Sequence, residues 1–176
     1  MKNSWELSLA RGEWFEDNVA HPWLIKNWDE WWITDCRLQK KSSLGGPKMR
    51  KGDVFLTLPD FRLDHAESTQ SFWIDAKYKE KFFTLDKHPG ERFTSIDPRS
   101  YQEYVNLMSI FPNIGFYALI GNKRTNGLYM LDLKSIQPIW HDFNNQYVRR
   151  GRSCTPCFPE TMLEYVGLWN PTLMPI

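Results

Sequence analysis

Cysteine is scarce: three in 176 residues, at positions 36, 154 and 157, too few for a disulfide framework. No window approaches the roughly 18 apolar residues that a membrane-spanning helix needs. Residues 1–17 lack the apolar segment of a secretory signal. A cytoplasmic protein with no membrane partner is therefore expected. An excess of one charge is missing too, since 22 Lys and Arg stand against 21 Asp and Glu, a net charge of +1. That balance neither demands nor excludes a polyanionic partner. There is no glycine-rich phosphate loop of the Walker or dinucleotide type, so no organic cofactor is expected. The four histidines (His21, His65, His88, His141) show neither metal spacing nor a serine partner. No internal repeat is visible. The whole chain, 1–176, suits one domain with a real core, about 4–133, and a C-terminal extension, 134–176.

Aromatic residues are plentiful, with nine tryptophans, and core and interface packing explains them more simply than base stacking. Basic charge is clustered in spite of the neutral total. Lys40, Lys41, Lys48, Arg50 and Lys51 fall in a Ser/Gly-rich segment without an acid, and Arg149, Arg150 and Arg152 form a second cluster. Two such clusters fit a nucleic-acid footprint. A solvated charged loop explains either one alone equally well.

Residues 4–20 read as a helix. Ser4 can cap it, Leu7, Ala10 and Trp14 recur at helical spacing, and His21-Pro22 ends it. Glu13 and Glu16 border its apolar face. The Trp-rich residues 23–32 are expected to pack this helix on a sheet. Residues 31–38 read as a strand and 40–51 as its exit loop. Val54, Leu56 and Leu58 alternate with Phe55 and Thr57 until Pro59, where the chain should bend and re-aim Asp60. A polar turn, 64–70, leads into a strand over 71–77. Residues 82–96 read as an irregular loop around Pro89-Gly90.

Asp97-Pro98 starts a second helix, with Tyr101, Tyr104, Val105 and Met108 on its apolar face and Pro112 beyond its end. Residues 114–120 are apolar throughout, as a strand buried on both faces would be, and 128–133 supply a partner. After Pro138 the pattern weakens to a loose tail, with a short element near 160–169. The order of helix, three strands, helix and two strands predicts an α/β fold with a mixed central sheet flanked by helices.

Chemistry concentrates in the strand over 71–77. Phe72 and Ile74 alternate there with Trp73, Asp75 and Lys77, so the acid and the lysine emerge on one face. Such charges are costly to bury unless paired or metal-bound. Asp60 precedes them by one hairpin. Two carboxylates from neighbouring strands can converge on a hard cation such as Mg²⁺, which takes oxygen ligands and keeps several waters. Lys77 reaches the same pocket, where it can orient or deprotonate a metal-bound water and offset phosphate charge. An acid-x-Lys triplet arises by chance about once in a chain of this size. Asp132 and Lys134 form another, which no Pro-Asp hairpin precedes, and it is set aside.

Pro59-Asp60, Asp75-Ala76-Lys77 and the helical Glu16 together resemble the PD-(D/E)xK nuclease superfamily, which includes restriction endonucleases and Holliday-junction resolvases. The resemblance covers roughly residues 8–133 and implies a restriction-endonuclease-like core. It implies a Mg²⁺-dependent DNA endonuclease, with Mn²⁺ as a substitute ion. Glu16, Asp60, Asp75 and Lys77 would be catalytic, and Asp60, Asp75 and the Ala76 carbonyl would hold the metal. DNA is the implied partner, with Lys40, Lys41, Lys48, Arg50, Lys51 and Lys79 turned toward it, and a homodimer is expected as in many relatives. Glu13 competes with Glu16, and Asp53 with Asp60; Asp60 is preferred because it follows Pro59 and lies nearer the hairpin. Tyr101 and Gln102 are further candidates from the second helix. A different class stays open: a non-catalytic module that binds nucleic acid or protein on the same fold. Cys154 and Cys157, with His141 as the sole nearby third ligand, read as reduced thiols in a turn.

Overall fold

A nine-residue strand whose side chains alternate between two unlike faces, Ser71–Lys79, lies at the centre of the fold. The computed structural model describes residues 4–37, 48–51, 54–141 and 154–174. The chain opens with helix α1 (Ser4–Phe15), a π-helical turn (Glu16–Ala20) and helix α2 (His21–Asn27). Strands β1 (Trp31–Asp35), β2 (Lys48–Lys51), β3 (Val54–Thr57), β4 (Phe61–His65), β5 (Ser71–Lys79), β6 (Phe83–Leu85) and β7 (His88–Ser95) follow. Helix α3 (Pro98–Ile110) leads to β8 (Gly115–Asn122), β9 (Gly127–Asp132), β10 (Ile139–His141), β11 (Thr155–Pro159) and β12 (Glu164–Leu168).

Six strands make the main sheet, in the order β1-β4-β5-β8-β9-β12. β5 and β8 run parallel and the other pairs antiparallel. The fold is therefore α/β, with a mixed sheet and helices against it. A four-stranded sheet, β10-β11-β7-β6, and the β2-β3 hairpin complete it. No helix among the described residues is long and apolar enough to cross a membrane.

The alternation in β5 assigns each helix its face. Ile74 and Ala76 join Leu119, Leu128 and the residues Phe15, Val19 and Leu24 of the N-terminal helical segment in one core. Trp73 joins Phe116, Ala118 and Ile120, which pack on Tyr101, Tyr104 and Leu107 of α3 and on Phe158 of β11. Burying side chains of this size contributes about 1.5–3 kcal/mol each, so both faces are held firmly. Gly121 of β8 lies under the Phe15 ring, which a Cβ there would strike. That close approach fixes the end of α1, one residue before Glu16.

Several expectations need correction. His21-Pro22 does not stop the helix. The His21 N–H bonds the Glu16 carbonyl five residues back, so the ladder slips by one in a π turn next to the N–H that Pro22 lacks, and α2 continues. Residues 82–96 are an ordered hairpin, β6–β7, whose register shift between Thr84 and Leu85 masks the alternation. Lys48–Lys51 is a strand paired with Val54–Thr57 rather than part of a loop. The C-terminal residues are not loose throughout, because β11 and β12 join the two larger sheets. On α3, Val105 is exposed and Leu107 takes the buried position. Asp97 caps this helix as expected, accepting from the N–H groups of Arg99 and Ser100 at 3.0 and 3.1 Å. Lys40, Lys41, Asp53 and the cluster at 149–152 lie outside the described residues.

Candidate active site

The site begins where β4 begins. After Thr57 the chain leaves the β2–β3 hairpin, passes Leu58-Pro59 and enters β4 at Phe61. Phe61 pairs with Ile74, which sets Asp60 opposite Asp75, one step beyond the paired end of β4. Residues opposite each other in an antiparallel pair share a face. Asp60 Oδ2 accepts the Ala76 N–H at 2.9 Å, so a carboxylate takes the bond that a longer β4 would have made. A strand residue sends its N–H and C=O from the same edge, which directs the Ala76 carbonyl to the Asp60 side as well. Both acids are buried, each 5% exposed.

Asp75 has two partners on one oxygen. Its Oδ2 accepts from the Tyr104 hydroxyl at 2.7 Å and pairs with the Lys77 ammonium. The Lys77 side chain is 28% exposed against 7% for Asp75, so the lysine is the more open of the pair. Burial, with the Asp60 charge adding to it, raises the Asp75 carboxyl above the ordinary range, while Lys77 and Tyr104 pull it back. Burial alone would lower Lys77, but the Asp75 carboxylate outweighs it and the amine stays well above its usual value. Burial, then the Asp75 charge, likewise holds the Tyr104 phenol protonated. Lys79 follows on the same strand face. Burial, and next the charge of Lys77, bring its amine down to about 8.

Glu16 stands in a different network, next to this one. Arg37, just past β1, grips Asp35 through Nε and Nη2 at 2.9 and 2.6 Å. Its Nη1 reaches Asp17 at 2.8 Å and Glu16 at 3.5 Å. The same guanidinium lies 4.6 Å from the ring centroid of Phe61, the residue after Asp60, and the His21 ring stacks on that phenyl at 5.5 Å. Glu13 is exposed. Among the described residues no three His, Cys, Asp or Glu side chains gather as a metal site. Asp60 and Asp75 are a pair, backed by a backbone carbonyl. That all-oxygen set suits Mg²⁺, which is commonly held by one or two carboxylates and keeps several waters.

No family model and no curated protein matches the chain. Among solved structures, it is similar to the 1.6 Å structure of Hjc, a Holliday junction resolvase from the archaeal hyperthermophile Archaeoglobus fulgidus. The similarity covers 83% of this chain and 89% of that one, with a TM-score of 0.46 and 9% identity.

The second acid-x-Lys triplet has a different occupation. Asp132 closes the turn after β9, accepting from the N–H groups of Lys134 and Ser135 at 2.9 and 3.2 Å and from the Ser135 hydroxyl at 2.6 Å. Lys134 donates to the carbonyls of Pro112 and Ile114. Cys154 is exposed and Cys157 buried in β11, not in a turn. Burial pushes the Cys157 thiol up to about 11, which makes it a weak ligand and nucleophile. Tyr104 and Arg37 escape sequence reasoning. Tyr104 lies in an apolar stripe where an aromatic needs no further explanation, and Arg37 carries no motif. One signal was readable: a tyrosine buried on a helix needs a partner for its hydroxyl.

Proposed function

We propose that the chain is a metal-dependent phosphodiester hydrolase that cuts within DNA strands. One observation carries this reading. Two buried carboxylates on consecutive strands stand opposite each other, with a lysine two residues beyond the second, on the edge of β5 past the end of its pairing with β4. Two carboxylates brought together on one face, with a lysine beside them, are a donor set that a hard divalent cation would take up.

Asp60, Asp75 and the Ala76 carbonyl would hold Mg²⁺ or Mn²⁺. The ion would supply Lewis-acid charge to the phosphate and a water of lowered pKa. The protein's own groups supply the rest. Lys77, kept protonated by Asp75, serves as a fixed positive charge at the mouth, where it offsets phosphate charge and donates to the attacking water. Tyr104 donates to Asp75 Oδ2 and so holds that carboxylate in place. The basic residues Lys48, Arg50 and Lys51, with Lys40 and Lys41 nearby in sequence, would track the DNA backbone, and a pair of chains would cut two strands.

Plasmid, branched and single-stranded DNA incubated with Mg²⁺ or Mn²⁺ test the reading. Cleavage of at least one substrate is expected, with Lys77→Ala slower by about a hundredfold or more. No cleavage of any substrate, or equal cleavage by Lys77→Ala, defeats it. Calorimetry separates the non-catalytic alternative, which needs no divalent-ion site that depends on Asp60 and Asp75.

A further inference from the structure

Lys79, counted from the sequence among the basic residues turned toward DNA, has no part in the chemistry described above. It stands two residues beyond Lys77 on the same face of β5, and the two amines differ in their company. Lys77 is ion-paired with Asp75. Among the described residues the Lys79 ammonium has no hydrogen-bond or ion-pair partner. Its neighbour across the parallel pairing is Asn122, a buried residue whose side-chain oxygen accepts the Arg124 N–H at 3.1 Å.

The charged and titratable groups that act on Lys79 are Lys77 and Asp75 of its own strand, Asp97 at the head of α3 and Cys157 of β11. Both acids are engaged, Asp75 by Lys77 and Tyr104 and Asp97 by the N–H groups of Arg99 and Ser100. Burial and the Lys77 charge therefore prevail and bring the amine down to about 8, so at pH 7 it is still mostly protonated. The fold thus holds a partly buried positive charge with no counter-charge in contact, which is costly. A methionine would fill the space without that cost. An anion brought by a ligand removes it, because an opposite charge favours the charged amine.

The spacing suits one kind of anion. A two-residue step along β5 is about 6.6 Å, of the order of the distance between successive phosphates of a DNA strand. With Lys77 at the scissile phosphate, Lys79 falls level with the next one. A lysine serves a phosphate as a compact point charge with rotatable donors, so this contact needs no rigid geometry.

We propose that Lys79 binds the phosphate next to the scissile one, holding the DNA strand in place while Lys77 serves the chemical step. This specifies the DNA-cleaving reading above and rests on it for the identity of the ligand.

The test uses the full chain. Fluorescence anisotropy of a labelled DNA duplex and of the corresponding single strand, in EDTA, gives affinity against salt. Steady-state cleavage with Mg²⁺, on whichever DNA the wild type cuts, gives kcat and KM. Lys79→Met should weaken binding about tenfold and lower the slope of log affinity against log salt by about 0.9 for the duplex or 0.7 for the single strand. KM should rise by a similar factor with kcat within about threefold, and Lys79→Arg should restore most of the affinity. Lys79→Gln is the second variant should Lys79→Met fail to fold. An unchanged slope and KM overturn the assignment, and so does a loss carried by kcat alone. A wild-type chain that binds neither DNA removes the DNA-cleaving reading and this assignment with it. Binding with the Lys79-dependent slope but without cleavage keeps the phosphate contact and removes hydrolysis.

Discussion

Replacing Tyr104 by Phe removes one oxygen and keeps the ring, which packs on Phe116 at a centroid distance of 4.9 Å. The lost hydroxyl donates to Asp75 Oδ2 at 2.7 Å, and both residues are buried. A hydrogen bond to a charged acceptor contributes about 1.5–3 kcal/mol, and a neutral one about 1 kcal/mol. The cost should therefore depend on whether Asp75 is ionised. Burial, and after it the Asp60 charge, raise the Asp75 carboxyl, so its protonated form favours the folded state. That contribution is fully present below the unfolded value of about 3.9 and is lost as pH rises through the higher folded value. Tyr104 opposes the rise by favouring the carboxylate, and Phe cannot. Tyr104→Phe should cost about 1 kcal/mol near pH 4 and about 2 kcal/mol near pH 8. Urea unfolding followed by tryptophan fluorescence, in metal-free buffer at the two pH values, reads the difference directly. A cost that is equal at both, or larger at pH 4, would refute the reasoning.

Other substitutions test other parts of the structure. Lys79, lowered to about 8 by burial and the neighbouring Lys77, binds fewer protons folded than unfolded up to about pH 10.4, so its charged form is a penalty below pH 8 that fades as pH rises through this window. Lys79→Met should stabilise the protein by up to about 3 kcal/mol at pH 7, with the gap to wild type closing by pH 10; a gap that does not narrow counts against a buried, partly neutral Lys79. Gly121→Ala places a methyl group against the Phe15 ring, and a loss of about 1–3 kcal/mol in thermal unfolding is expected; no loss would mean that α1 shifts freely. Lys134→Met, which removes bonds to two backbone carbonyls and nothing from the site, should leave DNA cleavage within about twofold of wild type. A loss as large as that of Lys77→Ala would reverse the choice between the two triplets.

The sequence made the sheet legible where one residue spacing had one meaning. Period-two alternation in 71–77 and the unbroken apolar run of β8 gave strands in their observed places, and Asp97-Pro98 placed the start of α3 to the residue. It failed where two rules competed. Pro22 carries the signal of a helix end, but a proline in the first turn of α2 is harmless, and a π turn removes the conflict. In 82–96 the signal was diluted by a register shift and by Pro89-Gly90, so tertiary pairing with β11, as in Cys157 opposite Ser95, decided the structure. Of the site, the acids and Lys77 were readable because charge on an apolar strand is anomalous. Arg37 was not, since an arginine after a strand is ordinary and its carboxylate partners come from two distant places, Asp35 beside it and the adjacent Glu16 and Asp17 of the first helical segment.

The location of the site follows from how late β4 starts. Had β4 begun two residues earlier, its backbone would have run beside Ala76 and consumed both hydrogen-bonding groups on that edge. Pro59 works against this, because it has no N–H to give to a ladder. The Asp60 side chain then supplies an acceptor for the Ala76 N–H, and a carboxylate has no proton to give the carbonyl beside it. On the proposed reading, that carbonyl and the two acids would be the oxygen donors offered to a cation. The opposite face of β5 makes the arrangement affordable in free energy: Ile74 is fully buried and Ala76 almost so, and their core with Phe15 and Leu119 holds the strand while its other face carries charge. The anomaly of charges on an apolar strand thus resolves into a division of labour between the two faces of a single strand.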